Sequence, residues 1–247
     1  MNDDHSLGQG LRVRLRVPTL DRYRALFPGQ GQSILRILQY EYMDRVGLSG
    51  LVLDFGGGGR VNYQHQLAAW GAGPDAFIYE SANINPQTEP TFLLNPDAPL
   101  PISDGVYDTV ISLNTLEHVY ALERSLHEMA RVLKPGGRLI LTVPFMFRVH
   151  GHPDDFHRGT PSFWKQMLTA VGFGDIDVEA LVWGPFSTGQ AISGLPGPFK
   201  SPRRHAGLLL DILYGIYRFR HADEVAVPPD APAVASAPGF GIEAWKR

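Results

Sequence analysis

The stretch "LVLDFGGGGR" (51–60) limits the architecture of this chain more than any other. A short apolar run, too brief for an ordinary helix, leads into four consecutive glycines, Gly56 to Gly59. A buried strand ending in a tight turn is the simplest local structure with that pattern. Glycines let the backbone come close to another group, and the amides that follow point at it. A strand of this kind needs neighbours on both sides.

The rest of the chain supplies them. "AFIYES" (76–81), "YDTVISL" (107–113), "RLILTVPF" (138–145) and "DIDVEALVW" (175–183) read as strands. Helical spacing separates them. Ile34, Leu35, Ile37, Leu38, Tyr42 and Val46 follow Ser33, and Gly47 is the stop. "ALERSLHEMARVL" (121–133) puts Leu122, Leu126, Met129 and Leu133 on one face and ends at "KPGG". Thr160 as N-cap, Pro161 at the first helical position and Gly172 as stop delimit a third helix. Alternating strands and helices imply an α/β fold, with a largely parallel sheet covered on both faces.

The flanks are less regular. Residues 1–32 read as irregular, with a basic patch at Arg12, Arg14 and Arg16. Residues 184–199, rich in Gly and Pro, read as a loop or lid. "AGLLLDILYGIY" (206–217) is an apolar helix whose one charge is Asp211, flanked by Lys200, Arg203, Arg204, Arg218 and Arg220. Residues 225–238 look like a linker, and "GFGIEAW" (239–245) like a final edge strand. The expectation is one domain over 1–247: an N-terminal helical segment (1–47), a core (48–182), a lid and helix insertion (183–238) and an edge strand (239–247).

Composition removes some functions. Lys and Arg total 22 against 25 Asp and Glu, a net charge of −3, which argues against a nucleic-acid footprint. No cysteine is present, so disulfides, thiolate metal sites and a Cys nucleophile are excluded. "MNDDHSLGQG" lacks a signal-peptide pattern, and no apolar run reaches the ~18 residues of a membrane span. The expected location is cytoplasmic.

By itself the glycine turn also fits a dinucleotide site or a plain turn. It lacks the last glycine of G-x-G-x-x-G, because Asn62 falls near that place. Three segments in order, "VLDFGGGGR", "PLPISDGVYDTVISLNTLEHV" and "LHEMARVLKPGGRLILTVP", narrow the choice. Together they resemble the class I S-adenosylmethionine (SAM)-dependent methyltransferases, in the group with a "LEHV" turn, over residues 48–182. The resemblance implies a Rossmann-like seven-stranded sheet with SAM across the carboxyl ends of the first strands. Asp54, Gly56 and Gly58 would form the turn under the methionine part. A carboxylate ending the second strand would hold the ribose; Glu80 and Asn83 both compete for that place. Asn95 or Asp97 would lie near the adenine, and Leu113 to His118, with Asn114, would close over the sulfonium. Asn at both the ribose and adenine positions would cost two carboxylates, which motivates a rival reading as a weak or inactive methyltransferase-like partner protein.

The substrate side points to "HGHPDDFHR" (150–158). No (Asp/Asn)-Pro-Pro-(Tyr/Phe) follows "VISL", which leans toward oxygen or a small-molecule nitrogen as acceptor. His150, Pro153, Asp155, Arg158 and Thr160 match a subgroup associated with glycan and natural-product pathways. That resemblance implies a sugar, glycolipid or secondary-metabolite hydroxyl as acceptor. An alcohol needs a base, and an imidazole titrates near neutrality. His150 or His152 is the expected base, with Asp155 orienting the ring; alternatively Asp155 and Arg158 pair only to fix the loop. His-x-His beside carboxylates also resembles a metal site, but Pro153 interrupts it and the spacing is not a recognised ligand set, so no metal is expected. For 206–217, a core helix, a membrane-surface contact and a homodimer interface all stay open.

Overall fold

The computed structural model describes residues 10–28, 31–71, 76–95, 98–151, 154–220 and 222–247. The strands are β1 (Val13–Arg16), β2 (Gly50–Phe55), β3 (Phe77–Asn83), β4 (Phe92–Leu93), β5 (Tyr107–Leu113), β6 (Leu133–Pro144), β7 (Phe173–Leu181), β8 (Glu224–Val227) and β9 (Gly239–Lys246). Among the described residues they form one sheet in the order β4-β3-β2-β5-β6-β9-β7-β1-β8. The pairs from β4 to β6 are parallel, whereas β9 runs antiparallel to both β6 and β7. The expected α/β class and mostly parallel sheet are present, but with nine strands among the described residues in place of the expected seven, because β1 and β8 extend the sheet beyond β7.

Three expectations change. The C-terminal strand is not at an edge: β9 fills the slot between β6 and β7 and is buried from Gly239 to Ile242. The first 32 residues contain β1, paired parallel with β7, and α1 (Leu20–Leu26). The linker-like stretch contributes β8, antiparallel to β1, and a short helix, α7 (Pro232–Ala235). Buried Val13 and Leu15 alternate with Arg14 and Arg16 in β1, a two-residue period that the basic patch obscured. Arg14 pairs with Asp177 and Arg16 with Glu41, so two of the patch's three arginines are committed to the protein's own carboxylates, and Arg12 donates to the Ala226 carbonyl.

Side-chain caps mark the starts of α2 and α4. Ser33 accepts from the Arg36 amide at the start of α2 (Ile34–Val46), and Gly47 ends it at φ 63°. Thr160 accepts from the Phe163 amide at the start of α4 (Pro161–Ala170). The helix α3 (Leu122–Val132) buries Leu122, Leu126 and Met129 as its spacing implied. Two apolar cores result. One packs Val52, Ile111 and Ile140 against α2. The other packs Leu53, Val110, Leu139 and Leu141 with Leu126 and Met129 of α3 and Leu168 of α4.

Residues 184–199 hold a helix, α5 (Pro185–Ser193), in place of the expected loop. It has no cap of its own. Asp211 of α6 (Lys200–Phe219) supplies one, accepting from the Phe186 and Ser187 amides at 2.9 and 2.8 Å. Leu208, Asp211 and Ile212 are buried on α6, while Leu209, Leu213, Ile216 and Tyr217 are exposed. Among the described residues no helix is long and apolar enough to cross a membrane.

Candidate functional site

The strand order reverses at β2, which has β3 on one side and β5 on the other. Ligands of open α/β sheets bind outside the carboxyl ends of strands at such a switch point. The Gly56–Gly59 turn stands there. Gly56 has φ 100°, and a Cβ on it would run into the Thr115 side chain at the end of β5. A Cβ on Gly57 would meet the Asp54 carboxylate and the Tyr79 hydroxyl. Thus the first two glycines are required by the protein's own close packing.

Asp54 is fully buried on the α2 face of the sheet, and its Oδ2 accepts from the hydroxyls of Tyr63 and Tyr79, each at 2.8 Å. Burial pushes its carboxyl up to about 6, with the two hydroxyls partly offsetting that effect. Its Oδ1 has no hydrogen-bond partner among the described residues. At the end of β5, Asn114 sits at φ 51° and donates from Nδ2 to buried Gln39 of α2 at 2.8 Å. Asn114 Oδ1 is likewise buried without a partner among the described residues. Leu113 beside it is buried. Two orphaned acceptors beside a glycine turn suit a ligand's ammonium group.

Strand parity separates the two residues expected to compete for the ribose. Tyr79 faces Asp54, so Glu80 points to the opposite face, where the Tyr107 hydroxyl donates to it at 2.5 Å. Glu80 therefore does not reach the turn. Asn83 ends β3 there instead, and its amide donates to the carbonyls of Gly56 and Gly57 at 2.7 and 3.0 Å. Its Oδ1 accepts from the Asn85 amide at 2.9 Å. Asn83 thus ties the turn to the next loop. The amides of Gly59 and Arg60 donate to the carbonyls of Glu89 and Thr88 in that same loop, at 3.2 and 3.0 Å. Asn95 is exposed after β4, and Asp97 lies outside the described residues.

After β5 the chain makes a short 3-10 turn, Leu116–His118. The Glu117 carbonyl accepts from the amides of Phe156 and His157 at 2.7 and 3.3 Å, which docks the 154–158 segment on this turn. The Glu117 side chain is 2% exposed, and neither carboxylate oxygen has a hydrogen-bond partner among the described residues. Burial pushes its carboxyl up to about 7. His118 faces the loop after β6: its Nδ1 is 2.5 Å from the Asp154 carbonyl, and its ring is 5.1 Å from that of His150. His150 Nδ1 lies 3.3 Å from Asp155 Oδ2. Asp155 also takes both terminal nitrogens of Arg158, at 2.5 Å each, and accepts from the His150 amide at 2.9 Å. Burial alone would raise the Asp155 carboxyl, but Arg158 and the His150 amide hold it below the usual range. Asp155 thus lies beside His150 and ties the loop together through Arg158. His152, the other expected base, and Pro153 lie outside the described residues.

Sequence reasoning missed Glu117, because a carboxylate between Leu116 and His118 carries no sign of being buried. It also missed Gln39 and Tyr63, whose roles come from packing against β5 and β2.

Residues 54–141 match the family model described as "Methyltransferase domain". Over that third of the chain the sequence is similar to methyltransferase domains. The sarcosine/dimethylglycine N-methyltransferase of Halorhodospira halochloris is 34% identical over 93 residues, covering 32% of this chain and 32% of that protein. A highly reducing polyketide synthase of Aspergillus niger is 34% identical over 92 residues, 31% of this chain and 4% of that protein. The chain thus matches about a third or less of the length of these curated relatives. Solved methyltransferase folds resemble it over most of its length. A SAM-dependent methyltransferase from Thermotoga maritima superposes with TM-score 0.51 at 15% identity, covering 92% of this chain and 96% of that one. A chain from the Haloferax volcanii complex of a methyltransferase with its Trm112 activator gives TM-score 0.52 at 15% identity, covering 85% and 88%.

Proposed function

We propose that this protein transfers the methyl group of SAM to a small acceptor, and that the atom methylated is an oxygen of a sugar, glycolipid or secondary-metabolite hydroxyl. One observation carries the oxygen reading. The loops after β5 and β6 gather Glu117, His118, His150 and Asp155 on the side of the glycine turn where Thr115 meets Gly56. An alcohol needs a group of this kind to lose its proton, whereas a neutral amine attacks without one. When bound, SAM supplies a methyl carbon made electrophilic by its sulfonium. Asp54 and Asn114 offer acceptors to its ammonium, and Gly56 and Gly58 keep the turn narrow. His150 stands as the described imidazole for proton removal, and Asp155 is its positioning residue. The exposed apolar stripe of α6 supports the lipid-linked end of the acceptor range.

A second reading, a methyltransferase-like partner protein without turnover, is favoured by Asn83 and by the engaged Gly59 and Arg60 amides. Calorimetry with SAM separates the two. The enzyme reading expects binding; silence at millimolar SAM would leave only the partner reading. Mass spectrometry of hydroxyl and amine acceptors, soluble and lipid-linked, then reads the methylated atom. His150→Ala is expected to lower hydroxyl turnover by roughly 10²-fold or more. Turnover confined to amines would sink the oxygen assignment, for which the N-methyltransferase of Halorhodospira halochloris offers a precedent in its own name.

A further inference from the structure

We propose that Glu117, His118 and His150 form a binding site for a divalent first-row transition cation of the zinc class, at the acceptor end of the site. This inference deepens the acceptor reading above and rests on it for its purpose, though not for its geometry. Each of the three side chains offers one ligand atom, and these atoms lie within 4.8 Å of one another. His118 Nε2 is already 3.7 Å from Glu117 Oε1. Two ligand atoms at about 2.1 Å from one zinc ion are at most ~4.2 Å apart. In a tetrahedral site such atoms stand about 3.4 Å apart, so the widest pair must close by up to roughly 1.4 Å.

The tautomers suit ligation. The Asp154 carbonyl can only accept, so His118 carries its proton on Nδ1 and presents a lone pair at Nε2. His150 Nδ1 faces two acceptors, Asp155 Oδ2 and the Arg148 carbonyl, each at 3.3 Å, which leaves Nε2 of that ring as the acceptor. A carbonyl or carboxylate behind each ligating imidazole is the usual outer shell of a metal site.

Glu117 is the independent sign. Its carboxyl is sealed from solvent, with neither oxygen bonded among the described residues, at a cost of about 1–3 kcal/mol for a group left without a partner. Arg158 in the same cluster is already taken by Asp155, so no guanidinium pairs with the Glu117 carboxyl. A cation answers both deficits. Two imidazoles and one carboxylate select a borderline transition ion over magnesium or calcium, which favour all-oxygen sets, and three protein ligands leave a position open for an acceptor oxygen. With the ion bound, His150 would serve as a ligand in place of its role as base, the cation would lower the pKa of a bound acceptor hydroxyl, and the proton would pass to water. The ligands come from two loops more than thirty residues apart, so the spacing within 150–158 could not reveal them.

The test uses the untagged full chain stripped with chelator and titrated with cobalt(II) alone. The expected result is a visible d–d band saturating at one ion per chain and displaced by zinc(II). Glu117→Gln and His150→Ala should each weaken cobalt binding by about 100-fold or more, and Asp155→Asn by about 10- to 100-fold through the outer shell. Far-UV circular dichroism and SAM calorimetry on each variant check that the fold persists. No band in the wild-type chain overturns the site, as does a band that Glu117→Gln and His150→Ala leave unchanged. Cobalt binding without SAM binding would sink the methyltransferase reading and keep the site; SAM binding without cobalt binding does the reverse.

Discussion

At the scale of single residues, the side chains around the glycine turn serve the fold as much as the ligand. Asn83 is the clearest case. It stands where a ribose carboxylate is expected, yet its amide hydrogens go to the Gly56 and Gly57 carbonyls. An aspartate there would lose two donors and set a negative charge against two carbonyl oxygens. Asn83→Asp is therefore expected to lower stability by about 1–3 kcal/mol and to leave SAM affinity no tighter. Urea denaturation and SAM calorimetry on one preparation check both; a stable variant with stronger SAM binding would put Asn83 back in the ribose role. The motif did locate Asn83 at the end of the second core strand. The direction of its amide was not legible, because its partners lie 26 and 27 residues away.

At the scale of elements, α5 and α6 depend on each other. The apolar spacing of 206–217 marks a helix, and Asp211 looks like a blemish in it. In the fold Asp211 is fully buried and takes the first free amides of α5, a helix whose preceding residue, Gly184, has no side chain to cap it. A Cβ on Gly184 would collide with that same carboxylate, so the glycine makes room for the cap. Asp211→Ala should destabilise the protein by about 1–2 kcal/mol, the usual worth of a lost N-cap. Faster hydrogen exchange at the Phe186 and Ser187 amides would confirm the cause. Loss of stability with unchanged exchange there would assign the cost elsewhere. Residues 184–199 read as a loop because their own sequence holds no N-cap; the cap comes from 25 residues downstream.

At the scale of the whole molecule, buried carboxyls tie stability to pH. Asp54 has its carboxyl raised from 3.8 to about 6 by burial, against which Tyr63 and Tyr79 act. The folded state then holds this proton more tightly than the unfolded state does. The contribution is present below the unfolded value and is lost as pH rises through about 6. A shift of that size is worth about 3 kcal/mol. Asp108, Glu128 and Asp155 are held low by cationic partners and amides and slope the other way, so the total curve mixes both signs. The difference between Asp54→Asn and wild type isolates one group. It should move by about 3 kcal/mol in the variant's favour between pH 4 and pH 8, read from urea midpoints. A difference flat across that range would mean the carboxyl ionises normally in the folded protein.

The sequence by itself determined the strand-and-helix alternation, the helix start after Ser33, the cap at Thr160 and the glycine turn after β2. These rest on local rules: side-chain period, capping hydroxyls and backbone freedom act within a few residues. Only the tertiary structure decided that β9 enters the sheet interior, that Glu80 faces away from the turn, and that Glu117 meets two histidines. Each of those outcomes depends on which distant strand or loop becomes a neighbour. That choice is made by burying apolar faces across the whole chain, and its energy is not written in any short stretch.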